Sequence, residues 1–240
     1  MQDRAVLIAL GWGALAAASL VMGALLALAR RWPDAVVGAV LAFGAGALIS
    51  SVAFELAQQD LQIGTPTSVA IGLALGAVTF FVADRAVERL GGRHGGGAAG
   101  LPLALGALLD GIPEQAVLGI GLATGEGVSV ALLVAIFVSN LPEGVGSAAD
   151  MRAAGKPPAA VIRLWVGVAV VCALATVGGY ALAAHASGDV QAGIDGFAAG
   201  ALLVMLVDSM VPEAREKAGN IAGLATVLGF AVAAALSNLT

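Results

Sequence analysis

Cysteine is almost absent. Cys172 is the only one among 240 residues, so no disulfide and no thiolate cluster for a metal can form within the chain. Histidine is nearly as scarce, at His94 and His185 alone, and both fall outside the long apolar runs. Charge is thin as well. Asp, Glu, Lys and Arg together make up 11% of the residues, the net charge is −5, and no basic patch exists for nucleic acid to bind. A soluble domain carries more charge than this. Nor does any nucleophile–base pair stand out, so nothing reads as an enzyme.

Apolar residue is what fills the chain instead, at 60%, with a mean hydropathy of +0.98. The polar residues gather at intervals and leave windows of about 20 residues, enough to cross a bilayer. The expected fold is an all-α polytopic membrane protein, one domain of eight transmembrane helices. They are predicted at roughly 5–29, 35–58, 67–87, 101–123, 127–149, 159–184, 193–211 and 219–238. Turn-forming clusters separate them, and the Gly-rich segment within 88–100 reads as a flexible loop. The first run continues unbroken to Ala29, which favours a retained helix over a cleaved signal peptide.

Every basic residue except Arg4 falls on one side, in or beside the loops after the first, third, fifth and seventh spans. This positive-inside bias puts those loops in the cytoplasm and both termini outside it. The expected location is the plasma (inner) membrane of a prokaryote. "LAFGAGALIS" (41–50) and "DGFAAGALLV" (195–204) echo each other in spans of opposite direction, the pattern of an inverted repeat.

The chemistry lies in two motifs, "DGIPEQ" (110–115) and "SNLPEG" (139–144), in consecutive spans. Asp110 and Glu114 share a helical face by i,i+4 spacing; Ser139, Asn140 and Glu143 share another. Each proline removes an amide donor, leaving the carbonyls of Leu109 and Val138 free. A carboxylate near the bilayer centre costs at least ~2.5–3.5 kcal/mol, so protons or a cation must offset several of them. Carboxylate, amide, hydroxyl and carbonyl oxygens together suit a divalent cation.

These paired Pro-Glu motifs resemble those of the ZIP (Zrt/Irt-like) metal transporters, whose fourth and fifth helices carry His-Asn-x-Pro-Glu-Gly or close variants. "GFAAGALLVMLVDSMVPEA" in the seventh span resembles that family's glycine-rich helix ending in an acid before Pro-Glu. The resemblance implies a homodimer that moves zinc, iron or manganese into the cytoplasm, with no organic cofactor. Glu114 and Glu143 match the metal-bridging glutamates, Asn140 the polar residue before the second motif, and Asp208 an acid of the seventh helix. Asp110 stands in place of one histidine, Gly111 in place of the asparagine, and Ser139 in place of His or Gln. The expected site is therefore oxygen-only, with the Zn²⁺ preference narrowed, oxygen-preferring ions such as Mn²⁺ favoured by comparison, and Fe²⁺ and Zn²⁺ remaining as candidates. Glu55, near the outer end of the second span, reads equally as a mouth ligand or an interfacial charge. Gln115 is expected to face a neighbouring helix, and Asp84, Arg85, Glu88 and Arg89 to form a solvated helix end. Two other readings stay open: a proton-coupled carrier of another cation, and a metal-binding membrane protein without transport.

Overall fold

The computed structural model describes residues 2–57, 64–89, 101–123 and 129–237, with backbone alone at 2–3, 55–57 and 101–104. The described residues are helical, with no strand among them. Helix α1 is Gln2–Ala29; α2 is Asp34–Ser51, continued by a π-helical turn at Val52–Ala57. Then come α3 (Pro66–Arg89), α4 (Leu101–Ala123), α5 (Val130–Ala153) and α6 (Pro158–Ala183). Helix α7 runs from Asp189 to Ala218 through a second π-helical turn, Leu206–Met210, and α8 is Ile221–Ser237. Of the loop expected at 88–100, Glu88 and Arg89 belong to α3, and 90–100, with His94, lies outside the described residues.

Local chemistry sets these boundaries. Ser129 caps α5 by accepting from the Leu132 amide at 3.1 Å, and Pro158 opens α6 at a position that needs no amide donor. Gly155 and Gly219 end α5 and α7 with positive φ, which a side chain resists. Pro113 and Pro142 end neither helix; α4 and α5 run through them.

Helices α1 to α7 are long and apolar enough to cross a membrane, and α8 is apolar but only 17 residues long. Their burial differs sharply. In the apolar stretch of α2, 67% of residues are buried, against 17% in α3, and α4, α5 and α7 each bury half or more. Four helices thus form the interior, and the rest wrap it. The wrapping helices expose large apolar side chains, such as Val78 and Val82 of α3 and Leu224 and Val227 of α8. That outer surface fits a lipid environment.

Glycines bring the helix backbones into contact. Gly46 faces the Thr226 carbonyl and Gly229 faces that of Phe43, joining α2 to α8. Gly200 faces the Leu73 carbonyl and Gly76 that of Phe197, joining α7 to α3. Phe43 with Gly46 and Phe197 with Gly200 belong to the two echoing segments, so one crossing is used twice. Each π turn begins two residues after its echo ends. The same device joins α1 to α5 (Gly23, Gly144) and α4 to α6 (Gly119, Gly179). The α3–α7 contact continues along Gly72, Gly76, Phe80 and Asp84, which corrects one expectation: Asp84 is buried, while Arg85, Glu88 and Arg89 are exposed.

Gly46→Val or Gly200→Val would drive a side chain into a facing carbonyl, an overpacking cost of at least ~1–3 kcal/mol. Each should lower the thermal unfolding midpoint in detergent clearly. Gly11→Ala and Gly167→Ala, where nothing lies within 4 Å, should not. A Gly46→Val protein as stable as the wild type would show that these backbones do not touch.

Candidate cation site

Glu114 and Ser139 meet in the interior, where α4 faces α5. Both are buried, at 2% exposure each. The Ser139 hydroxyl lies 3.3 and 3.4 Å from the two Glu114 oxygens and 3.0 Å from the Ile136 carbonyl oxygen. One hydroxyl has one proton and cannot donate to all three. A protonated Glu114 could donate to Ser139, which then donates to Ile136. If Glu114 is ionised instead, the Ser139 hydroxyl donates to one of its oxygens at a time. Helix α2 closes this layer through Gly44, where a Cβ would lie 2.7 Å from the Ser139 Cα.

One turn nearer the basic end of the bundle, Asp110 and Glu143 form a second tier. A cavity of about 830 Å³ opens there, and these two are its deepest carboxylates; Glu114 does not line it. Nearer its mouth, toward the basic end, stand Arg30, Arg31, Arg152 and Lys217 together with Asp150 and Glu213. Two of these cations are held in place. Lys217 Nζ pairs with Glu213 Oε1 at 2.7 Å, and Arg152 donates to the carbonyls of Ala27 and Leu28 at the end of α1, at 2.7 and 3.0 Å.

The arrangement therefore has a sealed upper tier and an open lower one. Beyond the upper tier, away from the cavity, Leu48, Val117, Leu118, Ile136 and Leu202 pack in a single apolar cluster. The other expected residues lie as follows. Asn140 is buried at 1% exposure, and its Nδ2 has no partner among the described residues. Asp208 sits in the π turn of α7 with its side chain exposed, while Ser209 beside it is buried. Glu55 falls in the π turn of α2, and its side chain lies outside the described residues. Gln115 does face a neighbouring helix, accepting from Thr176 of α6 at 2.7 Å. Among the described residues, no three His, Cys, Asp or Glu side chains stand together as a ready cage for an ion.

Sequence reasoning missed two features. Cys172 of α6 is fully buried against Gly111; a Cβ at Gly111 would lie 2.7 Å from its Sγ. Nothing in the sequence pairs these residues. Asp195 of α7 is also buried and bonded to Gln191, and its signal was available: an acid within an apolar span, with an amide at i−4. The chain matches no protein-family model and no curated protein.

The Gly111–Cys172 contact yields a direct test. Gly111→Ala should destabilise the protein by ~1–3 kcal/mol, read as a lower thermal midpoint, because the buried sulfur has little room to move. Cys172→Ala removes that sulfur and should recover most of the loss in the double variant. Equal destabilisation of the single and double variants would mean that the sulfur is not the obstacle.

Proposed function

We propose that the protein is a carrier of divalent cations of the ZIP type. In this reading all eight helices span the membrane, α8 covering ~25 Å at ~1.5 Å per residue, enough for a thin or locally adjusted bilayer. The basic end faces the cytoplasm of a prokaryotic cell, and both termini lie outside. The observation that carries the reading is the cavity ending on Asp110 and Glu143, with Glu114 sealed one turn beyond. Such an arrangement suits a carrier open to one side. The ion leaves by the lower tier, while the apolar cluster around Leu48 and Leu202 blocks the other side.

Glu114 and Glu143 would hold the ion between the tiers, with Asp110, Ser139 and Asn140 supplying further oxygens. Glu55 and Asp208 enter this reading only through the family resemblance, as does the homodimer. Zn²⁺, Mn²⁺ and Fe²⁺ are the candidate ions, written here as cargo. A specific observation also favours proton coupling. Glu114, Ser139 and the Ile136 carbonyl form a chain that one proton would satisfy, so cation and proton could alternate at Glu114.

The test is metal-dependent fluorescence quenching in proteoliposomes with Mn²⁺, Fe²⁺, Zn²⁺, Co²⁺ and Cd²⁺. The wild type should give flux. Glu114→Ala and Glu143→Ala should remove both flux and the high-affinity binding seen by calorimetry, with the fold intact. If both variants bind metal as tightly as the wild type, the site lies elsewhere.

Selectivity supplies a second test. Asp110→His exchanges a hard oxygen for a borderline nitrogen and should widen the preference for Zn²⁺ over Mn²⁺ in competitive binding at fixed pH. An unchanged ratio would mean that Asp110 does not touch the ion.

A further inference from the structure

Asp195 is a buried carboxylate that neither the cavity nor the Pro-Glu motifs explain. It is 3% exposed and lies six residues after Asp189, hence ~9 Å along the axis from the end of α7 opposite the basic side. Gln191, one turn earlier and 6% exposed, brings its Nε2 to 3.0 and 2.9 Å from the two Asp195 oxygens. An amide shared between both oxygens holds the carboxylate in a fixed orientation.

The same face of α7 continues inward through Ala199, Leu202 and Leu206, all members of the apolar cluster beyond Glu114. On α2, Ser51 lies seven residues past Gly44, which rests on Ser139. Two helical turns keep it on that inward face, ~10 Å farther from the basic end. Ser51 is 1% exposed, and its hydroxyl has no partner among the described residues. It stands six residues from Ala57, the far end of the α2 π turn, as Asp195 stands six from Asp189. The α2 π turn itself packs against α7. Counted in residues from these helix ends, the hydroxyl of Ser51 falls at a depth similar to that of the acid and amide of α7, and apolar residues of the cluster lie between that depth and Glu114.

We propose that Asp195, with Gln191 and Ser51, forms a second station for a divalent cation on the far side of the apolar cluster. The proposal rests on the carrier reading for its place in transport, but not for its binding chemistry. All three residues can present oxygen, as hard cations prefer. In the empty station the Gln191 amide donates to Asp195. With an ion present, the amide turns about its last torsion and offers its oxygen instead. The station is closed in this conformation; parting of the Leu48–Leu202 cluster would open it and join it to Glu114.

Two measurements test this, both with Mn²⁺ as the probe. In the Glu114→Ala/Glu143→Ala background, electron paramagnetic resonance should still detect a weaker Mn²⁺ site. Adding Asp195→Asn should abolish that site, while Asp195→Glu should keep it. In proteoliposomes, Asp195→Asn alone should raise the external half-saturation concentration about tenfold and leave the maximal rate within about twofold. Asp195→Asn preserves the shape and one oxygen that accepts from Gln191, so its thermal midpoint should stay close to the wild type. A residual Mn²⁺ site unaffected by Asp195→Asn, or no residual site at all, overturns the station. So does a variant that only loses stability. Absence of wild-type flux alongside an Asp195-dependent Mn²⁺ site would instead overturn the carrier reading and leave the station standing.

Discussion

Backbone against backbone is the contact on which the rest of this bundle depends. Where Gly46 meets the Thr226 carbonyl, or Gly200 that of Leu73, the helices are separated by main chain alone. In lipid there is little hydrophobic drive between helices, so close van der Waals approach has to supply much of the association. The positions of the polar groups follow from that closeness. Gly44 lets α2 settle on Ser139, which stands beside Glu114. A larger residue at Gly44 would lift α2 away and open the sealed tier to whatever fills the cavity.

The two tiers differ in what surrounds them more than in their own chemistry. Asp110 and Glu143 line a cavity wide enough for water and ions, so their charge can be screened there. Glu114 has a hydroxyl, a backbone carbonyl one bond further on, and hydrocarbon. Four residues along one helix therefore carry a carboxylate from a wet environment to a dry one. That gradient gives the interior a direction, which the i,i+4 spacing of Asp110 and Glu114 could not supply by itself.

Much of the fold was legible because lipid-spanning helices are long, apolar and punctuated. The breaks at "RRWPD" and "AAGKPP" fall where helices end in the structure, within a few residues. The glycine echo was legible too, because close approach demands the smallest residue at fixed spacing. Partners across helices were not. Cys172 meets Gly111, and Thr176 meets Gln115, through crossing geometry that no local pattern encodes. Asp84 was misplaced for a related reason: its nearness to Arg85 and Arg89 suggested solvent, but its register with Gly76 and Phe80 turns it toward α7. Asp195 was hidden in plain view, within a segment read for its glycines.

The π turns give α2 and α7 an unusual mechanical property. A π turn winds one more residue into its length than the α-turn it replaces. Each of these helices therefore carries a spare residue, stored near one end. If that spare were passed along the helix, everything between its old and new positions would swivel by ~100°, the angle of one residue. In α7 such a swivel would exchange neighbours such as the outward Asp208 and the inward Ser209. The helix would behave as a ratchet with one tooth, able to change the face it shows without changing its length or releasing its ends.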